Sequence, residues 1–237
     1  MTRRRWIADE VSSNLAALTG DHANHLVRVL RARVGQEFDI ATGAVVRRGR
    51  IVSIDQGRVE FELGEEVAAA TTPNVTLLLA IFKFDRMEWA IEKCTELGVS
   101  RVVPVIARRT DAHLASAAAK RAERWRRIAL QASEQSRRSG PPEIAAPIRL
   151  QEAASVTSVD LRIFLAESEQ QALLRDVVAT PPRGRIVLAV GPEGGWAEDE
   201  LHLFKTAGWI SASLGPTILR SETAAIAATA IAMAELD

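Results

Sequence analysis

Two glycine-bearing segments are the most chemically specified stretches of the chain. Val190-Gly191-Pro192-Glu193-Gly194-Gly195-Trp196 follows an apolar run and precedes a helical first turn, Ala197-Glu198-Asp199-Glu200. Clustered glycines let backbone pass close to a ligand with no Cβ in between. At the carboxyl end of a parallel strand, this is where open α/β sheets bind ligands. The segment fits neither G-x-G-x-x-G nor G-x-x-x-x-G-K-[ST], so a dinucleotide or triphosphate site is not indicated. A plain tight turn would also want glycine, but Pro-Glu between glycines is more than a turn requires. The second segment, Leu214-Gly215-Pro216-Thr217-Ile218-Leu219-Arg220-Ser221-Glu222-Thr223-Ala224, also follows a strand and turns through Gly-Pro. Ser221 is placed to cap the Ala-rich helix after it. Arg220 and Glu222 flank that cap, where a helix amino terminus favours negative groups.

Other reactive residue types form no constellation. Four scattered histidines and one cysteine make no metal site. His22, His113 and His202 read as surface or packing residues. Cys94 shares an apolar helix face, so a buried thiol is expected rather than a nucleophile. No serine stands in a nucleophile elbow.

The elements that must position the two segments alternate. From Val75 on, apolar runs of strand length recur at Val75 to Ile81, Arg101 to Ile106, Leu161 to Leu165, Ile186 to Val190 and Ile210 to Leu214, with helical patterns between them. That alternation predicts a mostly parallel sheet covered on both faces. In Asp85 to Leu97, Met87, Ala90, Ile91, Cys94 and Leu97 share a face. Asp85 and Glu88 form a D-x-x-E start and Gly98 a stop. A second helix, about Ala115 to Ser136, carries Lys120, Arg121, Arg124, Arg126 and Arg127, with Arg137 and Arg138 just beyond it. The helix Ala224 to Leu236 is apolar on nearly all sides and calls for burial on several faces, within the chain or against a partner. Ahead of this region, Glu37 to Ala41, Val45 to Ile54 and Arg58 to Leu63 read as strands of a small barrel. One helix interrupts them, with Asp21 as its cap and Leu26, Val29 and Leu30 as its apolar face. Glu65 to Asn74 reads as a linker. The expected boundary gives domains 1–72 and 73–237.

Net charge is zero, with 30 basic and 30 acidic residues. Taken as a sum, that argues against a nucleic-acid binder. Residues 73–140, however, hold 13 basic and 7 acidic side chains, and a polyanion responds to a local face. The chain's 47% hydrophobic content is that of a globular protein. One cysteine permits no intrachain disulfide, which suits a reducing compartment. The start MTRRRWIADEV reads as no signal peptide, and no apolar run approaches the ~20 residues that span a bilayer. A cytoplasmic protein with no membrane partner is expected.

In combination the segments carry a family resemblance. GPEGG after one strand and LGPTILRSETA after the next resemble the ribosomal RNA uracil-N3 methyltransferases of the SPOUT (α/β-knot) superfamily. HLVRVLR from His25, FKFDRMEWAIEKCTELGV from Phe82, RRT from Arg108 and EQSRRS from Glu134 are similar to that family's motifs, in the same order. The resemblance spans essentially the whole chain. Phe84 departs from it, standing where the family has a small or charged residue.

The resemblance implies an α/β fold: a knotted SPOUT-type parallel-sheet domain over 73–237, preceded by a small PUA-like, RNA-binding β-barrel over 1–72. Topology rules alone would argue against the knot. It implies S-adenosylmethionine as methyl donor, bound bent by Leu165, Ala166, Glu167, Gly191, Pro192, Glu193, Gly194, Gly195, Leu214, Gly215, Ile218, Leu219, Arg220 and Thr223. It implies a homodimer acting on ribosomal RNA or the small ribosomal subunit. Arg220 is the candidate for stabilising the uracil anion, and Glu222 for accepting the proton or orienting Arg220. The candidate RNA contacts are Arg3, Arg4, Arg5, His25, Arg28, Arg31, Lys83, Arg86, Arg108, Arg109, Arg137 and Arg138. Two alternatives stay open: a knotted methyltransferase for another RNA or a ribose 2′-hydroxyl, and an inactive RNA-binding assembly factor.

Overall fold

Runs of five or six apolar residues become strands when both sheet faces are covered. The computed structural model describes residues 5–43, 45–67, 74–155, 159–179 and 184–236. The chain forms two units: residues 1–71 with 133–140, and residues 72–132 with 141–237.

In the first unit, β1 (Arg5–Ile7), β2 (Glu10–Ser12), β3 (Leu15–Thr19), β4 (Glu37–Ala41), β5 (Val46–Asp55) and β6 (Arg58–Val67) form a sheet in the order β1-β4-β5-β6-β3-β2. The β1–β4 pair is parallel and the others antiparallel. Trp6, Leu18, Leu26, Ile40, Ile51 and Phe61 fill its core. Gly49 is required where β5 crosses β4, because a Cβ there would stand 2.4 Å from Ile40 Cγ1. The helix between β3 and β4 is α1 (Gly20–Asn24) running into a π-helical turn, His25–Val29. Its cap position is Thr19, without a side-chain cap bond, so Asp21 does not serve as the cap. Val29, expected on the apolar face, is 64% exposed. A π turn advances less per residue than an α turn, so positions spaced for an α face no longer line up. The expected linker starts later than foreseen. Glu65, Glu66 and Val67 extend β6, with Val67 paired to Val46. Residues 68–73 of that stretch lie outside the described residues.

The second unit holds β7 (Val75–Ala80), β8 (Arg101–Ile106), β9 (Glu143–Ile144), β10 (Ile148–Arg149), β11 (Leu161–Leu165), β12 (Ile186–Val190) and β13 (Ile210–Ala212). They form one parallel sheet, ordered β10-β8-β7-β12-β11-β13, with β9 also on β8. The helices are α2 (Phe84–Leu97), α3 (Ala112–Gln135), α4 (Leu150–Ala154), α5 (Leu174–Val178), α6 (Glu198–Thr206) and α7 (Ser221–Leu236). Side chains alternate between faces along a strand. Leu77, Leu79, Leu188 and Val190 pack with residues of α2, α3, α5 and α7. Leu78, Ala80, Val187 and Ala189 pack with residues of α4 and α6. On that second face Phe164 stacks on Phe204 at 4.8 Å, and Trp196 and Trp209 each meet Phe204 edge-on at 5.0 Å.

Helix α2 begins at Phe84, with Lys83 at the cap position and no side-chain cap bond. Glu88, expected to help start it, instead takes Arg124 at 2.7 Å and Arg121 at 3.5 Å from α3. Gly98 ends the helix at φ +109°, which only glycine adopts cheaply. The divergent Phe84 meets Trp125 edge-on at 5.9 Å and lies under the Arg121 guanidinium, so it ties α2 to α3. Among the described residues no helix is long and apolar enough to cross a membrane.

Candidate functional site

A cavity of about 450 Å³ opens at the carboxyl ends of β11, β12 and β13. Three segments form most of its wall. Leu165, Ala166 and Glu167 come from the end of β11. Gly191, Pro192, Gly194 and Gly195 come from the loop after β12. Leu214, Gly215, Ile218 and Leu219 come from the loop after β13. Strand order explains the place. β12 and β11 are neighbours, but the chain reaches β13 by stepping past β11 to the sheet edge. The loops after three parallel strands therefore splay around a common crevice.

Local physics shapes each wall. The Gly195 N–H donates to the Pro192 carbonyl at 2.8 Å, closing a turn whose last residue needs φ +68°. A Cβ on Gly191 would come within 3.3 Å of the Trp196 ring. That ring is held in place, because Trp196 Nε1–H donates to the Leu165 carbonyl at 3.0 Å. One side chain thus fastens the β12 loop to the end of β11. The β13 loop is fixed by Ser213, whose backbone N–H donates to the Ala172 carbonyl and whose carbonyl accepts from Leu174, both at 2.8 Å.

The expected site residues divide. Glu193, Arg220 and Thr223 are exposed and stand off the cavity wall, although Arg220 lies between the wall residues Leu219 and Ser221. Ser221 is the first residue of α7 rather than a residue ahead of it. Glu222 is buried at 4% exposure, and its Oε1 accepts from Arg86 Nη1 at 2.7 Å. Its partner is therefore Arg86 on α2, not Arg220. The other oxygen, Oε2, is buried with no hydrogen-bond partner among the described residues. Cys94 is fully buried beside Thr229, and burial pushes its thiol up to about 12, which excludes it as a nucleophile.

Arg109, expected at RNA, lies on the cavity wall and donates through Nη1 to the Gly194 carbonyl. Its loop is locked. Thr110 Oγ1 donates to the Ile81 carbonyl at 3.2 Å and accepts from the Ala107 N–H at 3.1 Å. The buried Glu200 carboxylate bridges two loops, accepting from the Arg108 N–H at 2.7 Å and the Ala197 N–H at 2.9 Å. Glu200→Ala leaves both amide donors without their acceptor. It is expected to cost about 2 kcal/mol of stability, read from the midpoint of urea unfolding. A loss below about 0.5 kcal/mol would show that the bridge is not what holds the loops.

The remaining RNA candidates differ in their local surroundings. Arg3 and Arg4 lie outside the described residues. Arg5 donates to the Arg137 carbonyl, and Arg137 itself has φ +61°. Burial lowers the Arg138 pKa. His25 stands 5.8 Å from the Trp6 ring, and Arg28 and Arg31 are exposed on the same segment. Lys83 is exposed, Arg86 is held by Glu222, and Arg108 pairs with Asp199 at 2.6 Å. The basic run on α3 is partly neutralised, with Arg121 and Arg124 on Glu88 and Arg126 on Glu123. His22 is not a bare surface residue. It bonds Asp9 at 2.9 Å and stands 3.3 Å from Glu134, whose carboxyl pKa burial raises. No group of metal-ligating side chains occurs among the described residues.

Comparison with known proteins places this geometry. Residues 70–233 match the model of an RNA methyltransferase domain, and residues 18–64 that of an RNA methyltransferase PUA domain. A ribosomal RNA small subunit methyltransferase E of Mycobacterium bovis is 32% identical, over 90% of this chain and 84% of its own length. The enzyme of that name from Rickettsia conorii is 33% identical, over 92% and 88%. The crystal structure of the Neisseria gonorrhoeae enzyme of that name, bound to S-adenosyl methionine, is 32% identical. It superimposes with a TM-score of 0.84 over 97% of this chain and 96% of that one. A Legionella pneumophila methyltransferase in complex with its cofactor SAM gives a TM-score of 0.85 at 28% identity, over 99% and 98%. With both of its domain models matched in order, the chain belongs to the RNA methyltransferase family, carrying a PUA domain and a methyltransferase domain on a parallel sheet.

Proposed function

We propose that this chain transfers a methyl group from S-adenosylmethionine to N3 of a uridine in the 16S RNA of the small ribosomal subunit. The observation that carries the reading is the cavity between the loops after β11, β12 and β13, in a chain whose relatives bear the name ribosomal RNA small subunit methyltransferase E. Its volume is that of a small-molecule cofactor site. Its walls fit an adenosyl sulfonium: Leu165, Trp196 and Leu214 offer apolar surface, and Gly191, Gly194 and Gly195 present backbone without side chains.

The bound donor supplies an electrophilic methyl. The protein must place uracil N3 in line with it, exclude water and manage one proton. Arg220, exposed beside the cavity with no side-chain partner among the described residues, is placed to stabilise negative charge on the uracil as N3 is deprotonated. Glu222, buried on Arg86 and off the cavity wall, is a positioning residue for the first turn of α7 rather than the proton acceptor.

The finer architecture follows the same reading. The segment after edge strand β13 walls the cavity, and α7 then returns to pack on α2, α5, β7 and β12. That path supports a trefoil knot. Half-exposed Ile226 and Ile231 on α7, with exposed Trp89 on α2, support a homodimer. The amino-terminal sheet serves as a PUA-like barrel whose cations, Arg28 and Arg31 among them, hold RNA phosphates, and the enzyme works in the cytoplasm, where its ribosomal substrate is.

The test is methyl transfer from labelled donor to small subunits isolated from cells lacking this protein, with the product nucleoside identified by mass. 3-Methyluridine is the expected product. Label in another base or on a ribose, or none although the donor binds, overturns the substrate assignment.

A further inference from the structure

We infer that Arg109 is the residue that holds the carboxylate of the methyl donor, which makes it part of the donor site rather than of the RNA surface. The inference rests on the donor reading above and goes beyond it. S-Adenosylmethionine ends in an amino acid whose carboxylate must be met by cationic or N–H donors when it leaves water. Among the described residues that line the cavity, Arg109 is the one cation and Glu167 the one anion.

The pose of Arg109 suits the task. Its side chain lies along the GPEGG loop: a Cβ on Gly194 would stand 3.4 Å from Arg109 Cδ, and one on Gly195 4.0 Å from Nη1. One guanidinium N–H goes to the Gly194 carbonyl. A carbonyl is neutral, so it orients the guanidinium without cancelling its charge. The other N–H groups have no protein partner among the described residues and are free for a bidentate anion. Neighbouring Arg108 is already neutralised by Asp199 at 2.6 Å. The backbone beneath Arg109 is fixed by Glu200 and Thr110, so little ordering remains when the anion arrives.

The test compares two ligands by calorimetry: S-adenosylmethionine, and decarboxylated S-adenosylmethionine, which keeps the adenosyl sulfonium and lacks the carboxylate. Arg109→Ala is expected to weaken binding of the first roughly 10- to 30-fold. Binding of the second should stay within about twofold. Arg109→Lys should fall between, since it restores charge but not the fork. Equal weakening of both ligands would mean that Arg109 only props the glycine loop, and overturns the inference. So does unchanged donor binding with weakened RNA binding. A wild-type chain that binds neither ligand overturns the donor reading itself, and the inference with it.

Discussion

Arg220→Ala should lower kcat for methyl transfer about 100-fold and leave the donor Kd within about twofold. The side chain is exposed, has no partner among the described residues and stands off the cavity wall. Its removal therefore takes nothing from the fold. The backbone stays in place, because the Arg220 carbonyl still accepts from the Ala224 N–H at 2.8 Å within the first turn of α7. On the proposed reading, what is lost is charge stabilisation where N3 gives up its proton. A cation that meets charge only as it develops acts mainly on the transition state, so kcat falls and binding does not. Two further outcomes belong to this reading. Arg220→Lys should recover part of the rate, as a point charge in place of a planar fork. Raising the pH should narrow the gap between variant and wild type, because solvent base then removes the N3 proton without help. Turnover unchanged by Arg220→Ala would end the assignment. A deficit that vanishes at saturating donor would move Arg220 from the reaction to donor binding.

The site's backbone was legible in the sequence and its cross-connections were not. GPEGG and LGPTILRSETA could be read because glycine and proline at set spacing record local backbone demands, and Gly195 and Gly215 do take positive φ. β8, β11 and β12 match the apolar runs to the residue, since strands buried on both faces write uninterrupted apolar sequence. β1 and β2 span three residues each, and β2 is exposed throughout, so neither periodicity nor apolar length marks them. β9 and β10 have two residues each and are defined only by pairing with β8. Helix starts failed where tertiary partners outbid local ones: Glu88 could have capped α2 but is drawn to the arginines of α3. Arg109 and Arg86 fall in motifs of the resemblance and are candidate RNA contacts from the sequence. Their partners, Gly194 and Glu222, lie 85 and 136 residues away, and no local pattern encodes such pairings.

The ion pair across that longest separation carries the second large effect. Arg86→Ala should destabilise the chain by about 3 kcal/mol in urea unfolding. The cause is the carboxylate left behind. Glu222 is 4% exposed, and among the described residues its Oε2 has no hydrogen-bond partner and Arg86 is the one cation bonded to it. Removing that cation strands a charge in the interior. Arg86 itself is 31% exposed, which places the expected cost at the lower end of the range for a broken buried pair. Glu222→Ala should cost less, because the freed guanidinium can turn to water. The double variant should then be more stable than Arg86→Ala alone, since the stranded charge is gone. Donor binding reports the same event from the cavity side. Ser221 and Ala224, one residue before and two after Glu222, line the cavity, so loosening the first turn of α7 moves two of its wall residues. Arg86→Ala should therefore weaken the donor, and the double variant should recover part of that affinity. An Arg86→Ala chain within about 0.5 kcal/mol of wild type, or a double variant whose loss equals the sum of the singles, would show that the pair does not hold α7 against α2.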